Sequence, residues 1–487
     1  MKLESFLQKT YGYNPEVKDS IKTYIEQWKS WYVGNVRSFH NYFIYNGQRK
    51  VNKKRFTLNM AKEVSEDWSD ILWSEKCKVS MKNEESQKQF DELVDKLDLY
   101  TIINQAIEKS GAVGTEATVT SVYDIVQNED QMMLDVSNAK TRVDVVDIDW
   151  VYPLTWNNKE ITECAFGSVE YKNGIKYIIL SVHKLNDQGN YVIKNHLFRE
   201  TNGNLTEITT DETVAEFDTQ SSTKWFSIFK PLLTNNLFAN SPFGIPHYAN
   251  AIDVLKTVDI DFDAFKNEVK DGRRRTFARA ELFNYDSGEQ KLVFDPNDTD
   301  LYVLPKGANA DDLLQSDSSN LRVSDQVNAL NKSLNILSNK VGLGDNFYTF
   351  DGAQLSTATA VMSSNSKLAR RMKKLQIGYE SSIYDLIKAV CYASSQFGNY
   401  NIDTEDMAIQ FDDGVIEDKE AESVRALREF NAGLISGAEY RQRVLGENQE
   451  VAEKRIKEIQ EEQAEQDEIK EPEEDDKPEK LPKPKGE

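Results

Sequence analysis

Residues 341–366 read VGLGDNFYTFDGAQLSTATAVMSSNS, and they interrupt a chain whose periodicity is helical on both sides. Before them a helix is expected from about Ser324 to Lys340, and after them from about Thr357 to Gln396. Between the two stand Gly342, Gly344 and Gly352, the acids Asp345 and Asp351, and the aromatics Phe347, Tyr348 and Phe350, with Asn346 and Thr349 among them. From Val341 to Ser366 there is no lysine or arginine. Glycine supplies the backbone freedom needed to leave and re-enter a helix. The stretch therefore reads as a short acidic, aromatic loop hinged on glycine.

Upstream, SPFGIPHYANAIDVLKTVDIDFDAFKNEVKDGRRR (241–275) opens a long helix. Pro246 suits its first turn; Ile252, Leu255, Val258, Phe262, Phe265 and Val269 step by three or four, and Gly272 ends it. Residues 276–320 turn β-like, with KLVF and LYVLP around Asp-Pro-Asn-Asp. The first 110 residues or so read as helical, with Ile21, Tyr24, Trp28 and Trp31 on one face and Ala61, Val64, Trp68, Ile71 and Leu72 on another. Tyr45-Asn46-Gly47 reads as a tight turn between them. From about Glu116 to Thr210 short β-branched runs are separated by Asn173-Gly174, Asn186–Gly189 and Asn202-Gly203, the pattern of antiparallel hairpins. Residues 416–445 read as a helical hairpin broken at Gly433 and restarted by a capping box, Ser436 to Glu439. The acid-, lysine- and proline-rich end, 466–487, is too polar to bury and reads as disordered. The fold class is mixed α+β, long helices with inserted antiparallel β regions.

The acids outnumber the bases 81 to 59, a formal net charge of −22, which argues against a protein that grips nucleic acid over most of its surface. Cys77, Cys164 and Cys391 are scattered, without disulfide or zinc spacing, and no apolar run reaches the ~18 residues of a membrane span. A soluble protein of a reducing compartment is expected, with no cofactor. No phosphate loop, nucleophile elbow or zinc-protease motif occurs. His40 and His247 stand apart, while His183 and His196 are placed to face each other across a hairpin as a structural pair. Asp259, Asp261 and Asp263 cannot converge on one ion from a helix, since Asp261 points away from the other two; a solvated acidic face is expected. A calcium-loop start at Asp295 fails at Asp300 and Lys306. Two basic patches stand out. Arg273, Arg274, Arg275 and Arg279 exceed what a helix C-terminus needs. Lys367, Arg370, Arg371 and Lys374 share one helical face, while Leu368, Met372, Leu375 and Tyr379 form another. That cationic face reads equally as an ordinary solvated surface or as one for DNA or an acidic neighbouring subunit.

The order of these parts resembles the portal proteins of tailed bacteriophages, above all those of long-tailed phages of Gram-positive hosts. The resemblance is carried by WYVGNVRSFHNYFIYNG with RFTLNMAKEVSEDWSDILWSEK (31–76), by 241–275, by VGLGDNFYTFDGAQLSTATAVMSSNSKLARRMKKLQ (341–376) and by the GLIS turn (433–436). It implies a structural, non-enzymatic subunit of a closed ring of about 12 copies around a central tunnel. It also implies an assignment of parts: 1–245 as wing, 246–272 as stem helix, 273–323 as clip, 324–342 as second stem helix, 343–355 as tunnel loop, 356–400 as long wing helix and 401–465 as crown. Implied partners are double-stranded DNA in transit without sequence preference, the terminase large subunit, a head-tail connector, and major capsid and scaffolding proteins. The implied location is the capsid vertex, reached from the host cytoplasm. Asp345 to Asp351 would then face DNA, with Gly342, Gly344 and Gly352 as hinges. The plainer alternative is that the loop's aromatics plug a core beneath a surface turn. A capsid-associated scaffold or adaptor, and a nuclease using the acidic clusters, are the competing functional readings.

Overall fold

Helix-face periodicity organises the first hundred residues. Helices α1 (Leu3–Tyr11), α2 (Glu16–Tyr32), α3 (Arg37–His40), α4 (Met60–Leu72), α5 (Glu84–Leu97) and α6 (Leu99–Val113) follow in order. The computed structural model describes residues 2–46, 49–74, 76–123, 126–127, 134–135, 139–157, 160–208, 214–271, 275–279, 285–286, 291–292, 301–304, 314–317, 321–350, 358–398, 400–411, 419–445, 452 and 454–459. Backbone contacts divide the chain into two compact units, 1–412 and 413–487. In the first, α2, α4 and α6 pack on one another and bury Ile25, Trp28, Val64, Trp68, Ile103 and Ile107. Where a bare turn was expected between α2 and α4, strands Asn41–Asn46 and Arg49–Lys54 pair as an antiparallel hairpin.

Downstream the period falls to two. Strands Val151–Asn157, Glu160–Lys172, Ile175–Leu185, Tyr191–Thr201 and Asn204–Ile208 form an antiparallel meander, and Glu216–Asp218 adds to Tyr191–Thr201. Its hairpins turn where expected. Asn173 and Gly174 have φ of 53° and 74°, and Asn202 and Gly203 have 52° and 78°, the double positive φ that lets a two-residue turn match the strand twist. One sheet face buries Ile178, Leu180, Val182 and Phe198 against Leu3, Phe6 and Leu7 of α1. His183 lies opposite Ile193, and His196 opposite Leu180, so the two histidines form no pair. His183 is buried between Phe166 and Phe226; His196 bonds Tyr11 and Glu207.

Helix α7 (Ile252–Asp271) starts six residues later than Pro246 suggested. The preceding segment is instead used for packing. Gly114 has φ of 87°, and a Cβ there would stand 2.5 Å from the carbonyl oxygen of Gly244, so only glycine allows the two backbones to close. Tyr248 is buried with its hydroxyl between the carbonyls of Trp28 and Ala112 (3.0 and 2.6 Å). Helix α8 (Val323–Val341) returns antiparallel to α7, joined to it by Ser333 Oγ donating to Asp261 and by Arg322 on Glu268 at 2.8 Å. Between them strands Arg275–Arg279, Leu301–Leu304 and Leu314–Asp317 form a small sheet, which is mixed and not purely antiparallel because 275–279 runs parallel to 301–304. Helix α9 (Ala358–Phe397) spans 40 residues. It buries Leu368, Met372, Leu375 and Tyr379, the apolar face read from the sequence.

The acids of α7 are not a solvated face. Asp259 and Asp263 are buried and take hydrogen bonds from the backbone N–H groups of Leu58 (3.0 Å) and Phe56 (3.1 Å), tying α7 to the segment before α4. Asp259 also accepts from His40 Nε2 at 3.1 Å. The N–H of Val36 donates to His40 Nδ1 (3.0 Å), which leaves Nε2 as the ring donor. Asp261 does point away, toward α8. In the second unit α10 (Lys419–Asn431) ends near Gly433 at φ 70°, and α11 (Gly437–Leu445) opens with the reciprocal capping box, Glu439 N–H to Ser436 Oγ and Ser436 N–H to Glu439, each 3.1 Å. The tail 466–487 lies outside the described residues.

Glu116 is a buried carboxyl group without a hydrogen-bond partner. It opens the strand Glu116–Tyr123. Its nearest cation is the half-exposed Lys109, 4.0 Å away. Burial first, then the nearby Asp147, holds its pKa well above the usual carboxylate range, with Lys109 opposing. The folded state thus keeps a proton that the unfolded chain has lost, and stability falls as pH rises from the ordinary carboxylate pKa through the raised folded value. Glu116→Gln is expected to raise the melting temperature at pH 8 by about 2 °C or more, a gain that shrinks toward pH 4.5; scanning calorimetry at the two pH values checks it.

Candidate functional site

Helix α8 carries Asn331, Asn335 and Asn339 at four-residue spacing, with Ser338 beside them. Asparagine and serine are poor interior helix residues because their side chains compete for backbone groups. Here they bond to the backbone of the loop that follows. Asn346 N–H donates to Asn335 Oδ1 (2.8 Å), Tyr348 N–H to Ser338 Oγ (3.1 Å) and Phe350 N–H to Asn331 Oδ1 (2.7 Å). Three alternate loop amides are thereby held on one face of α8, and Asn339 donates to the Asp345 carboxylate. The loop folds back along its own helix.

The side chains divide accordingly. Asp345, Asn346, Phe347, Thr349 and Phe350 are exposed, although Phe350 meets the rings of Phe262 and Phe265 of α7 at 6.3 and 5.4 Å. Tyr348 was expected to share the DNA-facing surface; it is buried instead. Its hydroxyl donates to Asp67 of α4, and burial together with that bond raises its pKa. With its amide held by Ser338, Tyr348 is the ring buried in the core, while Phe350 rests partly covered on α7 and Phe347 stays exposed. Asp351 and Gly352 lie outside the described residues.

Gly342 and Gly344 have φ of 94° and 92°. Gly342 ends α8 in the left-handed conformation, its N–H and that of Leu343 both returning to the Ser338 carbonyl (3.1 and 2.9 Å). A Cβ at Gly342 would stand 2.9 Å from Arg371 Cγ, so this glycine also gives α9 room to approach. It is a packed helix terminus, not a loose hinge.

The cationic face of α9 resolves into different roles. Lys367 Nζ donates to the carbonyl of Asn339 at 2.8 Å, placing its charge at the negative end of α8. Arg371 is half-buried on Gly342, and burial lowers its pKa. Burial first, then the charge of Arg371, lowers the His247 pKa to about 3; that ring is stacked on Trp68 at 5.4 Å. Arg370 and Lys374 are exposed. Lys374 lines a groove of about 640 Å³ beside Lys224, which pairs with Glu160 and Asp385. Of the other patch, Arg273 and Arg274 lie outside the described residues; Arg275 and Arg279 begin and end a strand. Among the described residues no group of three or more His, Cys, Asp or Glu is placed to hold a metal ion, and no helix is long and apolar enough to cross a membrane.

The neutral ladder on α8 and the contact to Asp67 were missed in the sequence. The asparagines at four-residue intervals, just before a loop whose amides need partners, are the signal that marks the first of them.

A helical hairpin, a small sheet between its arms, a docked loop and a 40-residue helix make up the architecture around the site. The chain matches the family model described as phage portal protein, SPP1 Gp6-like, over residues 14–469, and it belongs to that family. A comparison with curated proteins finds no match. Family membership decides against the scaffold or adaptor reading.

Asn331→Ala combined with Asn335→Ala removes two acceptors, each contributing about 1 kcal/mol, while alanine favours the helix. Amide exchange at Asn346 and Phe350 is expected to quicken by about tenfold or more with α8 unchanged, as read by hydrogen–deuterium exchange.

Proposed function

We propose that this portal protein is one subunit of a closed ring of about 12 copies through which double-stranded DNA passes, driven in by the terminase motor during packaging and released at ejection. In this reading residues 1–245 and 356–400 form the wing, 246–272 and 324–342 the stem, 273–323 the clip and 401–465 the crown. The clip, with Arg273, Arg274, Arg275 and Arg279, meets the terminase large subunit and later the head-tail connector; the wing faces major capsid and scaffolding proteins at the vertex.

The observation that carries the proposal is the loop after α8. DNA that must move both ways through a pore is slowed by every phosphate contact, since cations on the wall bind the backbone irrespective of sequence. The loop exposes Asp345, Asn346, Phe347 and Thr349, with no cation from Val341 to Ser366. Its anchors on α8 are uncharged, and Lys367, the first cation beyond it, is turned onto the Asn339 carbonyl. Such loops repeated around a ring make a narrow collar that repels phosphate weakly and binds nothing. Asp345 and Asp351 supply the charge; Phe347 and Phe350 supply bulk.

Electron microscopy of the purified chain is expected to show rings of about a dozen subunits; a stable monomer at high concentration would contradict the proposal. Asp345→Lys with Asp351→Lys is expected to leave rings intact and to slow or arrest packaging, measured as nuclease-protected DNA per particle. Packaging at the parent rate would mean that these acids do not face DNA.

A further inference from the structure

We propose that the hairpin of strands Asn41–Asn46 and Arg49–Lys54 is an arm that docks on an acidic surface of a neighbouring copy of this chain. The inference rests on the ring reading above and adds to it a specific surface and a specific occupant.

Among the described residues the hairpin is a sheet of two strands with no third. Such a pair is marginally stable in water unless something covers it. Beyond its root, where the Tyr42 hydroxyl reaches Asp263 of α7 (3.4 Å), both faces carry apolar side chains left exposed among the described residues. The register pairs Phe43 with Asn52 and Tyr45 with Lys50, so Phe43 and Tyr45 share one face; Ile44 lies opposite Val51 on the other. Phe43 and Tyr45 are 51% and 68% exposed, and Ile44 and Val51 are exposed as well. The base of the hairpin, in contrast, is firmly set: the Arg55 N–H donates to the His40 carbonyl (2.7 Å), its guanidinium donates to the Phe39 carbonyl (2.7 Å), and His40 is held by Asp259. A fixed root and an uncovered apolar blade are what an interlocking arm requires.

Charge selects the partner. Residues 41–55 contain five cations, Arg49, Lys50, Lys53, Lys54 and Arg55, and no acid. The rest of the chain then holds 54 bases against 81 acids, a formal −27. A cationic arm is drawn to that surface, and cross-subunit pairs of opposite sign fix register and suppress wrong contacts. DNA would also attract the lysines, yet phosphate offers nothing to cover Ile44, Val51 and Phe43. Apolar side chains on both faces favour a protein surface, and in a homo-oligomer the most abundant acidic protein surface is the next subunit.

Rings assembled from equal parts of ¹⁵N-labelled and unlabelled chains, treated with a carbodiimide and digested, give the direct test. Expected are mixed-isotope crosslinks joining Lys50, Lys53 or Lys54 to an aspartate or glutamate of another copy. Crosslinks confined to one isotope, or hairpin lysines protected only when double-stranded DNA is added, would overturn the arm. Two variants support the reading: Phe43→Ser with Ile44→Ser and Tyr45→Ser, and Lys50→Glu with Lys53→Glu and Lys54→Glu, the latter leaving the apolar residues in place. Each is expected to raise the concentration for half-maximal ring formation by about tenfold or more, with the monomer's circular dichroism unchanged. Parent rings beside equally stable variant rings would refute the arm alone. A parent that never forms rings would refute the ring reading and the arm with it.

Discussion

Three hydrogen bonds from loop amides to uncharged side chains of α8 set the character of this molecule. In the proposed ring the loop lines the channel and has to be held in place, because an unanchored loop of glycines and aromatics would collapse into the bore. The strongest available anchors are ionic, since charge-assisted hydrogen bonds are roughly twice as strong as neutral ones. Lysine or arginine in that position would bind passing phosphate. Asn331, Asn335 and Ser338 resolve the conflict by using neutral acceptors, each modest alone, at three alternate loop amides. Two cations close to the loop are used behind it: Lys367 on the carbonyl end of α8 and Arg371 beneath Gly342.

The same logic extends to the hairpin of α7 and α8. Helix α7 is gripped on two sides through its aspartates, Asp259 and Asp263 taking backbone amides of residues 58 and 56 and Asp261 taking Ser333 of α8. These carboxylates are satisfied mainly by N–H and O–H groups instead of by cations. Tyr348 completes the frame by reaching Asp67 of α4, so the loop, the α7–α8 hairpin and the N-terminal helical layer share one continuous set of contacts. A displacement of the loop must break neutral bonds on α8 and the buried tyrosine contact together.

Much of the architecture was legible because period and punctuation were strong. The Asn-Gly turns of the meander, the apolar face of α9 and the Ser436–Glu439 capping box each follow from local chemistry that tertiary packing had no reason to override. The start of α7 was not legible: Pro246 is a good first-turn residue, but the close approach of Gly114 and Gly244 and the burial of Tyr248 keep the segment out of an α-helix until Ile252, after a 3-10 turn at Ala249–Ala251. The aspartates of α7 misled for a related reason. Their spacing correctly separated Asp261 from the other two, yet burial depends on backbone amides some 200 residues away in sequence, Leu58 being 201 from Asp259. The site was legible as a loop and as a cation-free stretch. Which ring turns inward depends on where Ser338 and Asp67 stand, a matter of three-dimensional register.

The central claim is that neutral anchoring presents an acidic, cation-free surface to DNA. A reconstruction of the assembled ring at side-chain resolution tests it most directly. The account predicts residues 342–350 lying along α8, with Asp345 and Phe347 on the channel wall and Tyr348 turned away. A loop detached from Asn331 and Asn335, with Tyr348 projecting into the bore, would contradict it.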